Sequence, residues 1–335
     1  MKVGTVPENA SKRAVLKQIR TKREEVILGA GVGEDCAAMK LAADEIFVMS
    51  TDPITGTAMD IGNLAIQINL NDLASAGAEP VGVMLSVLLP PSIEEPEIRN
   101  MMAQVEEVCG QYHVQVMGGH TEVTEAVNQP VISVTGIGKA KEGALVSTAG
   151  ARPGMDIIVT KWIGIEGTSI IAKEKEALLL NRFEEGFVER AKKFDQMLSV
   201  VDEAMIAVRY GVSAMHDVTE GGIFGALWEM AQASGIGLEI ELLRIPVKQE
   251  TIEICEVFDV NPYELISSGA MLMAAEDGNG LVRELKKSGI EATIIGKATE
   301  GNDRILINGE ERRFLEPPKV DELYKALRTG EDGAQ

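Results

Sequence analysis

Asp72 occupies the position where a carboxylate is hardest to keep. On a helix beginning at Asp60, the residues Ile61, Leu64, Ala65 and Ile68 recur on one face. At roughly 100° per residue Asp72 lies about 40° from Ile68, so the spacing predicts that it projects from the face that should be buried. A carboxylate left unpaired there is strongly destabilising, and the local sequence supplies no Arg or Lys to neutralise it. Its partner must come from elsewhere in the fold, and a cation is a natural one. The competing reading puts Asp72 beyond the true helix end, solvated.

Other acids recur in a similar setting, at the end of an apolar run beside glycine or hydroxyl residues. Glu34 and Asp35 follow Gly33, Asp52 follows Ser50-Thr51, and Asp217 and Glu220 flank Thr219 ahead of Gly221-Gly222. Singly, each also reads as a turn former or helix cap. Together they form an oxygen-only donor set, with no thiolate or histidine pair, which suits Mg²⁺ bridging to phosphates rather than zinc or copper. A formal charge of −20 repels nucleic acid and anionic membranes and would repel a nucleotide too. Metal ions remove that difficulty by presenting positive charge to the phosphates.

His120, in Gly118-Gly119-His120-Thr121-Glu122, reads as a loop residue that meets substrate or phosphate together with Thr121 and Glu122, or as part of a structural turn. His216 beside Asp217 reads as a hydrogen-bonded turn residue in preference to a proton carrier, and Cys36 as a possible nucleophile or a small buried side chain. Gly29-x-Gly31-x-Gly33 follows a strand but lacks the G-x-G-x-x-G spacing, and the acids after it repel a pyrophosphate. No Walker-type Gly-Lys-Ser/Thr is present.

The elements that must hold these residues read as follows. Residues 1–25 form a mobile arm with a short basic helix. Strands are expected at Val26-Ile27-Leu28, Ile46 to Ser50, Val81 to Leu89, Val114 to Met117 and Val131 to Ile137, with turns from Gly118 to Pro130. The Asp60 helix runs to about Ala76 and is stopped by Gly77. A second helix buries Ile98, Met101, Met102, Val105 and Val108 behind a Ser92-to-Glu95 capping box. After Arg152-Pro153-Gly154 a fresh strand begins at Ile157, placing a domain boundary near residue 150. Helical segments follow at Lys173 to Glu189, Phe194 to Val208 and Ile223 to Ala233, with a last strand at Ala292 to Gly296. Alternation of this kind in both halves indicates an α/β (α+β) protein of two domains, 1–150 and 151–335. Hydrophobic residues make up 45% of the 335 and charged ones 25%, enough for a full core. No apolar run reaches the ~18 residues of a membrane span, and three scattered cysteines fit a reducing compartment, so a cytoplasmic protein is expected.

These segments resemble the AIR-synthase (PurM-like) superfamily, most closely its hydrogenase-maturation branch, HypE. The matching pieces are Gly33 to Ala38, Ser50-Thr51-Asp52, Asp60-Ile61-Gly62 through Asn71-Asp72-Leu73-Ala74 to Gly77-Ala78, Gly118 to Thr121, Thr135 to Gly138, Asp217 to Gly222 and Asn261-Pro262. They cover roughly residues 30 to 300. The resemblance implies a homodimer whose N-terminal domains share a β-barrel, with ATP bound through Mg²⁺ in a cleft between domains. It also implies that Glu34, Asp35, Asp52, Asp72, Asp217 and Glu220 form the metal and phosphate network, assisted by Thr51, Thr121 and Thr219. Asp72, His120 and Asp217 are then the catalytic candidates, for phosphorylation of an amide-type oxygen.

Three departures modify that expectation. HypE ends in Pro-Arg-Ile-Cys, whose cysteine carries the carboxamide to be dehydrated; this sequence ends at Gln335 with Cys255 as its last cysteine. A separate carboxamide or small-molecule substrate, or a maturation protein that supplies the cysteine, is therefore expected. His120 stands where relatives often have an acid, so that one metal contact is either lost or moved to Glu122. Glu220 stands where HypE usually has Arg and other branches of the superfamily have an acid. Two other readings remain open: a kinase or synthetase of the thiamine-phosphate kinase, selenophosphate synthetase or AIR synthase type, and a nucleotide-binding regulator or scaffold without turnover.

Overall fold

The apolar run that closes at Pro90-Pro91 is the central strand of a five-stranded sheet, and the acids of the first half are arranged around it. A computed structural model describes residues 3–31, 34, 36–55, 60–317 and 319–328. The chain divides into two compact units, Met1–Ala74 with Ala78–Leu145, and Ser75–Gly77 with Val146–Gln335.

The first unit begins with β1 (Gly4–Thr5), a short helix α1 (Glu8–Ser11) running into a π-helical turn, then β2 (Val26–Leu28), β3 (Ala38–Met39) and β4 (Glu45–Ile54). Next come α2 (Ile61–Ser75), β5 (Glu79–Leu89), α3 (Glu95–Gln111), β6 (Gln115–Val123) and β7 (Val131–Lys141). The main sheet has the order β1-β6-β5-β7-β4, with β5 and β6 parallel and the other neighbours antiparallel; β2 and β3 form a separate ribbon.

Side chains alternate between the two sheet faces. Val83, Leu85, Val87 and Leu89 of β5 are buried, as are Ile66, Leu70 and Leu73 of α2 and Ile98, Met102 and Val105 of α3. The opposite face is open: Phe47 is 54% and Met49 64% exposed. All five apolar residues expected on the inner face of α3 are buried. The capping box, however, is formed by Glu94 and Glu97 instead of Ser92 and Glu95. Pro96 explains the shift, because proline is tolerated in the first helical turn and fixes where the helix starts.

The N-terminal segment differs from the mobile arm read in the sequence. β1 pairs with the edge of β6, Ala14 is fully buried, and Thr21 donates from its backbone N–H (2.6 Å) and hydroxyl (2.7 Å) to Glu106. An open sheet edge and a buried acceptor give the segment somewhere to dock.

The second unit contains β8 (Asp156–Thr160), α4 (Ile165–Glu174), α5 (Glu176–Leu179), α6 (Glu185–Lys192), α7 (Val201–Tyr210), β9 (Ala214–Asp217), α8 (Gly222–Ser234) and β10 (Gly237–Glu241). It closes with α9 (Gln249–Phe258), β11 (Met271–Ala275), α10 (Gly278–Lys287), β12 (Ala292–Thr299), β13 (Arg304–Asn308), β14 (Glu311–Phe314) and α11 (Glu322–Arg328). The seven-stranded sheet has the order β14-β13-β10-β12-β8-β11-β9, so β9, which carries Asp217, is an edge strand. One apolar core packs that sheet against α8; a second joins α4, α6, α9 and α11 through Ile171, Val188, Ile254, Phe258, Leu323 and Ala326.

Candidate functional site

In the first unit, the most buried face of α2 is rotated from the stripe read in the sequence. Ile61, Ala65, Ile66, Asn69, Leu70 and Leu73 are buried, whereas Leu64, Ile68 and Asp72 are half-buried at its margin. Close backbone approach accounts for the rotation. A Cβ on Gly62 would lie 2.3 Å from the Met101 carbonyl oxygen of α3, and one on Gly136 of β7 would lie 2.0 Å from Asn69 Oδ1. Two glycines of the family-like motifs thus serve helix packing. Asn69 Nδ2 reaches the Val134 carbonyl at 3.4 Å, which fixes α2 over β7. Asp72 comes against β4, where the Ser50 hydroxyl donates to Asp72 Oδ2. The partner that the helix face demanded is thus, in part, a serine hydroxyl. Since Asp52 is two residues on from Ser50 in β4, it shares this helix-side face.

Thr51 points the other way, onto the open face, with its hydroxyl 3.1 Å from that of Thr135. His120 and Glu122 join it there, because β6 runs on through Val123 and pairs His120 with Ser86 and Glu122 with Leu88. By sequence Gly118-Gly119 is a turn signal, which puts these residues in a loop. Gly119 instead adopts φ 140° inside a parallel pair, where a Cβ would lie 2.0 Å from the Leu85 carbonyl oxygen. His120 Nε2 lies 3.4 Å from Glu122 Oε2. A cavity of about 310 Å³ in this unit is lined by Glu34, Gly119, His120 and Thr121 together with apolar residues of the N-terminal segment, β5 and α3. The candidates of the first unit therefore form three groups: Asp52 and Asp72, with Ser50, toward α2; Thr51, His120 and Glu122 on the open face; and Glu34 and Thr121 at the cavity, which His120 also lines. Asp35 lies outside the described residues. Among those described, no three His, Cys, Asp or Glu side chains converge as a metal cage.

In the second unit, Asp217 ends β9 and is 6% exposed, Thr219 is half-buried and Glu220 is exposed. Gly221 and Gly222 have φ of 78° and 60° and open α8. A Cβ on Gly222 would lie 2.6 Å from the Tyr263 carbonyl oxygen and 2.8 Å from that of Leu265, so the turn needs glycine. His216 is hydrogen-bonded, its Nε2 2.7 Å from Glu229 Oε2, but it lies within strand β9, paired with Leu272, and not in a turn.

Three residues that the sequence reading missed surround this turn. Asp321, 5% exposed, accepts the Gly221 N–H at 2.7 Å, and burial raises its carboxyl above the usual range. Tyr324 donates its hydroxyl to Glu220 Oε1 at 2.9 Å. Glu166, 2% exposed, accepts the Ser268 N–H at 3.1 Å. Burial pushes its carboxyl up to about 7, with the nearby charges of Asp321 and Glu220 adding to the effect. Glu166 carried a signal, an acid within Ile163-Gly164-Ile165-Glu166-Gly167; Asp321 and Tyr324 carried none.

Comparison with known proteins agrees with this architecture. The family model for the N-terminal domain of AIR synthase related protein matches residues 33–140, and that for its C-terminal domain matches residues 152–308. A protein of Methanocaldococcus jannaschii named for hydrogenase expression and formation is 28% identical over 330 residues, covering 96% of each chain. Carbamoyl dehydratase HypE of Cupriavidus necator is 29% identical over 279 residues, covering 80% of this chain and 77% of its own. The crystal structure of hydrogenase maturation protein HypE in complex with ATP has a TM-score of 0.81 at 20% identity, covering 96% of this chain and 97% of that one. That last likeness carries the mixed α/β fold alone.

Proposed function

This chain belongs to the AIR synthase related family, and from that premise we propose that it is a HypE-like, ATP-dependent enzyme that activates a carboxamide-type oxygen by phosphoryl transfer, in hydrogenase maturation. The observation that carries the reading is the half-buried Asp72, tethered to Ser50 with Asp52 on the same face. The donors there are carboxylates and a hydroxyl, which fit Mg²⁺ and no softer metal. Within the first unit Asp52 and Asp72 would present carboxylates to magnesium, with Glu34, Asp35 and Glu122 as further candidate ligands; Asp217 is the candidate ligand of the second unit. Magnesium, when bound, would offset the charge of the triphosphate and of the transferring group. The chain's own part is positioning: Ser50 fixes the rotamer of Asp72, and Thr51, Thr121, Thr219 and Glu220 supply oxygen contacts to nucleotide or metal.

The acceptor lies outside the chain's two buried thiols. Cys109 and Cys255 are buried, and burial raises both thiols, that of Cys255 to about 12, which keeps them protonated. A carboxamide on a partner's thiol, or on a small molecule, fits better than one on either of these; Cys36, read as a possible nucleophile or a small buried side chain, is exposed. Phosphorylating that oxygen and then losing phosphate removes the elements of water from the amide. The exposed apolar residues Phe47 and Met49 support pairing of this sheet face with a second copy, giving a homodimer with a shared barrel. No helix among the described residues is long and apolar enough to cross a membrane.

Incubation with Mg·ATP and a thiocarboxamide-bearing cysteine peptide tests the proposal. Mass spectrometry should show a product lighter by one water, with phosphate released in step. ATP turnover on thiamine phosphate or selenide, with the peptide unchanged, would transfer the chain to a kinase or synthetase role. Binding without any phosphate release would make it a regulator.

A further inference from the structure

The last described segment of the chain folds back onto the Asp217–Gly222 turn, and it lies beyond the residues that match the family's C-terminal domain, 152–308. Its helix, α11, is anchored at α9: Leu323 and Ala326 join the core cluster of Cys255 and Phe258, and Lys325 Nζ reaches Asp259 Oδ2 at 3.0 Å. Glu322 Oε2 accepts the Asn261 N–H at 3.2 Å. From that anchor the segment presents two polar side chains to the turn.

The Asp321 carboxylate joins three separate stretches of chain. Oδ2 accepts from Gly221 N–H at 2.7 Å, while Oδ1 accepts from Ile266 N–H at 3.2 Å and Leu323 N–H at 2.8 Å. The N-terminus of α8 thus already holds an anion supplied by the chain. Among its first residues, Gly222 N–H goes to the Thr219 carbonyl at 3.1 Å and Phe224 N–H to that of Tyr263 at 3.1 Å. What the turn offers a ligand is its side chains, Asp217, Thr219 and Glu220, whose directions follow from the backbone that Asp321 holds. Tyr324 then bonds the exposed Glu220 carboxylate at one oxygen, restricting its rotamer without covering it.

We propose that Asp321 and Tyr324 are positioning residues, a C-terminal strap that fixes the Asp217–Gly222 turn and aims Glu220 at a metal-bound nucleoside triphosphate. The inference rests on the functional reading above for its ligand, and on the second unit alone for its geometry. In Asp321→Asn the amide nitrogen must face at least one of the three N–H donors, so one bond becomes a donor–donor clash.

The experiment uses the full chain and three variants, Asp321→Asn, Tyr324→Phe and Glu220→Gln, with the double variant Glu220→Gln/Tyr324→Phe. Amide hydrogen exchange across 218–224 is read alongside Mg·ATP affinity by calorimetry and the melting temperature. Asp321→Asn should speed exchange in that stretch and at Ile266 and Leu323, its other bonded N–H groups, leave the rest of the second unit unchanged, and weaken Mg·ATP about ten-fold. Tyr324→Phe should weaken it about five-fold with an unchanged melting temperature, and the double variant should be no weaker than Glu220→Gln alone. Uniformly faster exchange in Asp321→Asn, or additive losses in the double variant, would overturn the proposal. Should the wild-type chain bind no Mg·ATP, the functional reading fails, and exchange decides for the strap alone: faster exchange confined to the turn and to Ile266 and Leu323 supports it, uniform exchange refutes it.

Discussion

The two units hold their acids by opposite means. In the first, Asp72 is set by close neighbours on one helix and one sheet: Ser50 from β4, with α2 seated by Asn69 against Gly136. In the second, the turn that carries Asp217 is held by backbone carbonyls and by an aspartate 100 residues further along the chain. A side-chain contact can be relieved by a second substitution; a backbone contact cannot. The Gly136–Asn69 contact of the first unit should therefore be repairable, and the Gly222 contact of the second brittle.

Gly222→Ala should show the largest effect. It forces a Cβ toward two carbonyl oxygens at φ 60°, costing about 3 kcal/mol or more in denaturant unfolding of the chain. No substitution at Tyr263 or Leu265 should restore it, because the atoms met are backbone. A restoring substitution there would break the comparison.

Glu166 probes the same unit through pH. Its folded carboxyl titrates at about 7 against 4.5 unperturbed, so the folded state binds the proton more tightly. The contribution to stability is fully present below pH 4.5 and is lost as pH rises through 7, amounting to up to ~3 kcal/mol. Glu166→Gln, whose amide oxygen still accepts from Ser268, should flatten that part of a pH series of urea melts. An unchanged slope would mean that Glu166 is charged in the fold.

Gly136→Ala should cost about 2 kcal/mol through overpacking against Asn69, and Asn69→Ala in the same chain should recover most of it. Failure to recover would erase the distinction between the units. The smallest effect belongs to Ser50→Ala, which removes one bond to a carboxylate. It should cost about 1 kcal/mol, read as a few-fold weaker Mg·ATP affinity with little change in melting.

Legibility in the sequence divides along the same line. The strands, the inner face of α3 and the glycine-bearing motifs were readable because periodicity and local steric demand leave a pattern within a few residues. β6 was misread at Gly118-Gly119 because a glycine required by close approach inside a sheet looks like a glycine required by a turn. The stripe on α2 was displaced because Gly62 and Asn69, neither apolar, sit on its buried face. The N-terminal segment looked mobile because its anchors, β6 and Glu106, are distant in sequence. Asp321 and Tyr324 were invisible for the same reason: their partners are 100 and 104 residues away, and nothing beside them marks them out.

Calorimetric titration of Mg·ATP into the wild-type chain, Asp72→Asn and Asp217→Asn tests the central claim most directly. Each substitution keeps the side chain's shape and removes its charge, so binding should weaken about 100-fold or more while the fold persists in both variants. Wild-type affinity in either variant would contradict the account, because that acid would then have no part in receiving the nucleotide.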